Sequence, residues 1–591
     1  MHIPIKSLLI GMLASVALVG CTNTDEPEVN NGNENGDAKA YMKVQLVMND
    51  VSGSRATDGG YADGETKEQT ITSDNSIFLF YDAAGNYITF GKVVGGTATE
   101  DGHTNNIDIH YPAYIALSGP DQSIKQIKQV LTVVNYGANE CKALQNINLK
   151  DALIKTSEAT IEGSDGTFLM TTAVYLETSA KGDDGIAGND IDSDKISNTT
   201  KISDGDFYED QKTATTAGNP VVIHIERAAA KVQVIANTEP YDVKDDADET
   251  LSKDAGDIHV DGVLNKIQIK VTGWKLNNIN PSTKIMKDIY DWTATAPFDG
   301  WNITWTSGSD TYGRSFWSKG TLWDYAGLAD LADLDENATH KHKLTAYAYK
   351  DATTATTTAA ALTTGYEYCW EQTVEEALAT RGTAYPNVTT VLIAAQVVLK
   401  DGTSPDLYKN NGVYYTESTY KKLILQQLMD AGYAKTVENG SPTAYFAESD
   451  LTFNTVSKSL AGFTVTVSTT GQLKGADGAY TAATVDAINT AIAQLPCVNG
   501  AVGYKEGKCF YQIPIEHLSS ATGVNATVPA YGVVRNHWYQ LTISGIKHIG
   551  EAVYNPEVEI PQIPPQNTEY YMAAELHVLS WKVVNQNVTL D

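Results

Sequence analysis

Residues 41–51 alternate in a way that few folds can use. Met42, Val44, Leu46 and Met48 are separated by more polar neighbours. A period of two places these four on one face of a β-strand and turns the other face toward water. Short strands of this kind recur at 76–81, 88–90, 130–135 and 221–235, and residues 82–86, with Gly85 and Asn86, fit a hairpin turn. They continue at 267–274, near 343–348, and at 389–399, 461–468 and 536–546. Thr, Val and Tyr, with 32 Tyr against 11 Phe, suit half-exposed strands, while Gly and Asn suit turns. The expectation is a mainly β protein built of β-sandwich domains. At 591 residues and 42% hydrophobic content the chain can bury more than one core.

Two segments depart from this pattern. Residues 419–431 place Tyr420, Leu423, Ile424 and Leu428 at helical spacing, with Glu417 and Ser418 as a cap region and Gly432 as a stop. Residues 484–494 read as a second short helix in the same half. Residues 237–259 are acidic and poor in large apolar side chains, so the domain boundary is expected there. The domains are then 56–236 and 237–573. The last stretch, 574–591, reads as one long strand. Leu576, Val578, Val584, Val588 and Leu590 share one parity, and Leu579, Trp581 and Val583 the other. About 18 extended residues span roughly 60 Å, more than most domains can pair along a terminal strand.

The N-terminus is an export signal. Lys6 precedes an apolar run from Leu8 to Val19, too short to span a membrane, followed by Leu18-Val-Gly-Cys21. A small residue before a cysteine, with Leu three positions upstream, is what a lipoprotein signal peptidase reads. Residues 1–20 are expected to be removed and Cys21 to carry the lipid. Residues 22–40, rich in Asn, Glu, Asp and Gly, form a tether between the lipid and the folded body. The polar segment 52–60 contains Arg55 in a place open to proteases. A net charge of −30 speaks against nucleic acid or anionic lipid as partners.

No catalytic set emerges. The chain has no G-x-S-x-G elbow, H-E-x-x-H pair or P-loop, so an enzyme is not expected and no cofactor is implied. Asp190, Asp192 and Asp194 have calcium-loop spacing, but Lys195 and Lys201 stand where Gly and Glu are needed, so the segment reads as a solvated turn. His340 and His342 lack further metal ligands nearby. Besides Cys21 there are Cys141, Cys369, Cys497 and Cys509. Cys497 and Cys509 flank a Gly-rich turn, and they either bridge a hairpin or stay as free half-buried thiols. Trp274, Trp292, Trp301, Trp305, Trp317 and Trp323 cluster, as rings exposed to stack on sugars or as core of the second domain.

These features in this order resemble the Bacteroidales type V pilins, close to the major subunit of the short fimbriae. The resemblance rests on the lipobox at Cys21, the strand-then-arginine segment ending in Arg55, and Ile225-Glu-Arg-Ala-Ala-Ala-Lys-Val-Gln-Val234. It extends through Arg314-Ser-Phe-Trp317, Ile393-Ala-Ala-Gln396, Tyr408-Lys-Asn-Asn-Gly-Val-Tyr-Tyr415 and Phe510-Tyr-Gln-Ile-Pro-Ile-Glu-His-Leu518. Val534-Arg-Asn-His-Trp-Tyr-Gln-Leu541 and Leu576-His-Val-Leu-Ser-Trp581 complete it. Asp25, Glu26 and Glu28 resemble the acidic patch that sends some lipoproteins of that order to the cell surface.

The resemblance implies two transthyretin-like β-sandwich domains and a life cycle. A palmitate-bearing precursor is anchored at the outer membrane. An arginine-specific protease then cuts between Arg55 and Ala56, removing the propeptide 21–55 and its strand Met42, Val44, Leu46, Met48. The groove so opened takes the C-terminal strand of another copy, carried by Leu576, Val578, Trp581, Val584, Val588 and Leu590. Head-to-tail repetition gives a surface fimbria that works with accessory anchor and tip subunits and adheres to host or bacterial ligands. The competing expectations are a tip or anchor adhesin of the same machinery, and a monomeric glycan-binding lipoprotein.

Overall fold

The computed structural model describes residues 40–48, 68, 70–95, 109–117, 121–163, 166–177, 196–216, 219–243, 257–260, 263–288, 304–307, 310–314, 318–322, 344–354, 361–373, 389–515, 517, 532–560, 575–579 and 582–590. Mainly β structure is observed, with few helices.

The first unit is a ring of strands. Its members are β1 (Ala40–Met48), β2 (Ile77–Tyr81), β3 (Tyr87–Gly95), β4 (Ile109–Leu117), β5 (Gln129–Val134), β6 (Met170–Thr172) and β7 (Val221–Arg227). Their order is β5-β2-β3-β4-β1-β7-β6, and β6 pairs back onto β5. The sheet expected to form half of a sandwich therefore closes on itself as a barrel, which leaves no long edge exposed. The β2–β3 hairpin turns where Asp82 accepts hydrogen bonds from the backbone N–H of Ala84 and Asn86, both at 2.8 Å, and Gly85 takes φ +80°. Residues of β1, β2, β4, β5 and β7 share one core. Packing there is close: a Cβ added to Gly91 on β3 would lie 2.3 Å from Ile115 Cγ2. The short helix α1 (Gln211–Thr216) lies beside β1 and β4.

The chain changes sheets at Ala228, between β7 and β8 (Ala229–Ile235), rather than in the acidic segment 237–259. The second unit has two facing sheets. One runs β10 (Tyr366–Trp370), β8, β13 (His537–Ile546), β14 (Glu575–Leu579), β15 (Lys582–Leu590). The other is built on β9 (Val263–Asn277), β11 (Thr390–Leu399) and β12 (Lys508–Pro514). Val232, Val234, Leu541 and Ile543 of the first meet Ile269, Val271, Val391 and Ile393 of the second in one core.

A third, smaller core is formed by the two helices expected from sequence. These are α2 (Glu417–Asp430), which buries Tyr420, Ile424 and Leu428, and α3 (Val485–Gln494), which buries Ile488 and Ile492. Gly432 at φ +90° ends α2 and donates to Met429 O at 2.9 Å. Among the described residues 344–348 no strand forms; Thr345 and Ala348 make isolated bridges and a helix starts at Tyr349.

Cys141, Cys369, Cys497 and Cys509 are free and buried. Cys497 packs in the helical core and Cys509 in the sandwich core, so they do not bridge. Trp274 is fully buried in the sandwich, as core rather than a sugar platform. Trp292, Trp301, Trp317, Trp323, the Asp190–Asp194 loop, His340 and His342 lie outside the described residues.

Candidate functional site

β1 is the strand on which ring closure depends. On one side it pairs antiparallel with β4 along its whole length, from Ala40↔Leu117 to Met48↔Ile109. On the other it pairs parallel with β7, from Val44↔Val221 to Met48↔Ile225. A reciprocal bridge to Tyr208, with N···O distances of 2.7 and 2.8 Å, holds its start. Ala40, Met42, Val44 and Leu46 are buried, while Tyr41, Lys43 and Gln45 are half-buried. The alternation read from sequence is thus realised, with Met42 opposite Ile115, Val44 opposite Ala113 and Val221, and Leu46 opposite Ile223. Met48 belongs to the strand backbone.

Taking β1 out would be costly. Full burial of each of Met42, Val44 and Leu46 contributes about 1.5–3 kcal/mol. Its loss would leave β4 and β7 with unpaired backbone groups on facing edges, flanking an apolar slot lined by Ile115, Ile223 and Ile225. Such a slot accepts a replacement strand with alternating apolar side chains and little else.

The C-terminal segment sits elsewhere. β14 lies antiparallel on β13, from Trp538↔Leu579 to Thr542↔Glu575. β15 turns back antiparallel on β14, with Val578↔Val583, and reaches β13 in parallel at Ile543↔Val588 and Ile546↔Leu590. The single long strand expected over 574–591 is therefore folded here as a hairpin on its own sheet. The physical reason is the edge of β13, whose backbone groups the hairpin covers. Leu576, Val578, Val584, Val588 and Leu590 occupy register positions in this hairpin. Trp581, Cys21, Arg55 and Ala56 lie outside the described residues. Sequence reading missed this resting position because nothing in a strand's own residues says which edge it will choose.

β12, β13, β14 and most of β15 fall within one recognisable stretch. Residues 503–587 match the family model "Major fimbrial subunit protein type IV, Fimbrillin, C-terminal". This stretch is similar to the C-terminal part of fimbrillins. The expected resemblance to Bacteroidales fimbrillins is borne out over this stretch. Among solved structures, the chain is similar to a fimbrilin of Porphyromonas gingivalis W83, at 12% identity and a TM-score of 0.32, covering 93% of this chain and 96% of that one. It is also similar to the tip fimbrial protein Mfa3 of Porphyromonas gingivalis, at 10% identity and TM-score 0.25, covering 88% and 97%. A fimbrial assembly protein of Parabacteroides distasonis gives 13% identity and TM-score 0.24, covering 60% and 82%. At these TM-scores the structural likenesses carry no weight, and the fimbrillin match stands on 503–587. Among curated proteins, none matches the chain in sequence.

Proposed function

We propose that this chain is the structural stalk subunit of a surface fimbria, polymerised by strand exchange. The observation that carries the reading is β1: the first described strand, paired on both sides, whose removal would open a closed barrel. Residues 1–20 are the leader, Cys21 carries the lipid at the outer membrane, and 21–55 form the propeptide. An arginine-specific protease cuts after Arg55, so the mature chain starts at Ala56. The tail then leaves its hairpin on β13 and fills the slot between β4 and β7 of another copy. Leu576, Val578, Trp581, Val584, Val588 and Leu590 supply its apolar positions. The second unit, with two sheets across one core, is taken as the transthyretin-like sandwich implied by the resemblance. Accessory anchor and tip subunits and host or bacterial ligands are the expected partners.

Keeping β1 attached until the subunit is outside the cell prevents early polymerisation, because a closed barrel offers no acceptor. The test is treatment of residues 22–591 with an arginine-specific protease, with mass spectrometry of the new N-terminus and negative-stain microscopy. A mature chain starting at Ala56 that forms filaments is expected. A chain cut there that stays monomeric would instead indicate a terminal subunit, and an uncut chain an anchor.

A further inference from the structure

Between the two units lies a buried cluster of charges that strand exchange alone does not require. Glu68, Arg227 and Lys231 are each at most 2% exposed. Lys231 Nζ donates to Glu68 Oε1 at 2.8 Å, and the Tyr368 hydroxyl donates to the same carboxylate. Arg227 Nε donates to the backbone carbonyl of Glu68 at 2.6 Å, and its Nη1 donates to Asn536 Oδ1 at 3.1 Å. Lys231 Nζ also lies 4.0 Å from the centre of the Tyr366 ring and 4.3 Å from that of Trp538.

The positions of these residues in the chain matter as much as their contacts. Glu68 is the first described residue after β1. Arg227 ends β7, the parallel neighbour of β1. Lys231, Tyr368 and Trp538 belong to β8, β10 and β13, in the sheet that also holds the tail, and Asn536 immediately precedes β13. A single residue just beyond the propeptide thus meets the barrel wall through its backbone carbonyl and the sandwich through its carboxylate.

We propose that Glu68 is the fastening that confines the loss of β1 to β1: with Arg227, Lys231 and Tyr368 it pins the following segment into the seam between the two cores, so the subunit keeps its shape while its barrel stands open. This rests on the reading that β1 is removed. Without β1, β7 loses its ladder on one side and is held by β6 and by Arg227. A buried carboxylate compensated by two cations and a hydroxyl is hard to pull out, because each departure would strand an opposite charge in the seam. Glu68 is a positioning residue here, acting through its contacts in the seam.

The experiment compares hydrogen exchange of the full chain before and after removal of β1, in wild type and Glu68→Gln. The strand is removed both by an arginine-specific protease and, separately, by a sequence-specific protease whose recognition site is placed at 57–62. A failure to cut at Arg55 then counts against the processing scheme alone. In wild type, exchange in 229–235 and 537–542 should stay as slow after cutting as before. In Glu68→Gln the same segments should speed up at least tenfold after cutting and much less before it. Glu68→Met with Lys231→Met, which removes both charges, should restore slow exchange. If Glu68→Gln does not fold, Tyr368→Phe, which deletes one donor, should speed exchange severalfold in the cut form. Equal exchange of wild type and the variant in cut chains, or a rise as large in uncut chains, would overturn the proposal.

Discussion

Met42 and Leu46 make the same contribution whether or not the chain is to polymerise. Each fills the closed barrel in the uncut chain, so Met42→Ala or Leu46→Ala should lower the stability of that form by about 2–5 kcal/mol in denaturant unfolding. After the propeptide is released the same substitutions should have no effect, since the residues are gone. The buried carboxylates set an acid limit. Burial pushes Glu68 upward, but the charge of Lys231, hydrogen bonds from Lys231 and Tyr368, and the charge of Arg227 prevail and hold it below its ordinary 4.5. Glu371 behaves alike: burial is outweighed by the charge of Arg535, hydrogen bonds from Ser318 and the Arg535 N–H, and the charge of Lys287. Depressed folded values mean that the ionised forms favour the fold. Their contribution is complete above the ordinary carboxylate value and is lost as pH falls through the depressed ones. Melting temperature should hold from neutral pH to about pH 5 and drop below the ordinary carboxylate range, with a shallower drop in Glu68→Gln. The thiols are inert for a related reason: burial pushes Cys141 and Cys509 up to about 12 and Cys497 to about 11. Alkylation at pH 8 should label none of these three until the protein unfolds.

At the level of elements, β1 was legible because half of it is buried and half is not; an alternating pattern specifies a strand and its face together. The helices α2 and α3 were equally plain, since i, i+4 apolar spacing has no strand equivalent. Ring closure was not legible. It depends on β6, three residues long, which pairs with both β5 and β7 and has no periodicity of its own. The tail's hairpin escaped notice because its two parities are each half apolar, so sequence alone favours neither a straight strand nor a pair of strands. The Glu68 seam lies beyond sequence reading altogether, for it joins residues from 68 to 538 across five chain segments. Deleting 576–591 should leave a folded chain that, after processing, accepts a tail yet does not extend a filament. Size-exclusion chromatography and microscopy of the truncated, cut chain check this, and filaments of it would assign the donor elsewhere.

For the whole molecule, charge sets the terms of assembly. With the leader and propeptide removed as proposed, 38 basic and 66 acidic residues would remain, residues 1–55 carrying four and six, for a net charge of −28. Subunits that approach head to tail therefore repel at long range. Raising ionic strength from about 10 to 150 mM shortens the screening length from roughly 30 Å to 8 Å and should speed filament growth without altering the final contact. Light scattering of freshly cut chain over a salt series checks this; slower growth with salt would point to attractive, complementary patches instead. A heterologous contact of the proposed kind would not close, so growth would continue until a different subunit ended it.

The central claim is that the slot vacated by β1 is the seat of another copy's tail. The most direct measurement is binding of a synthetic peptide of residues 575–591 to the cut chain lacking 576–591. The peptide should bind one to one, be displaced by a peptide of residues 40–51, and fail to bind the uncut chain. No binding to the cut chain, or equal binding to cut and uncut chains, would contradict the account.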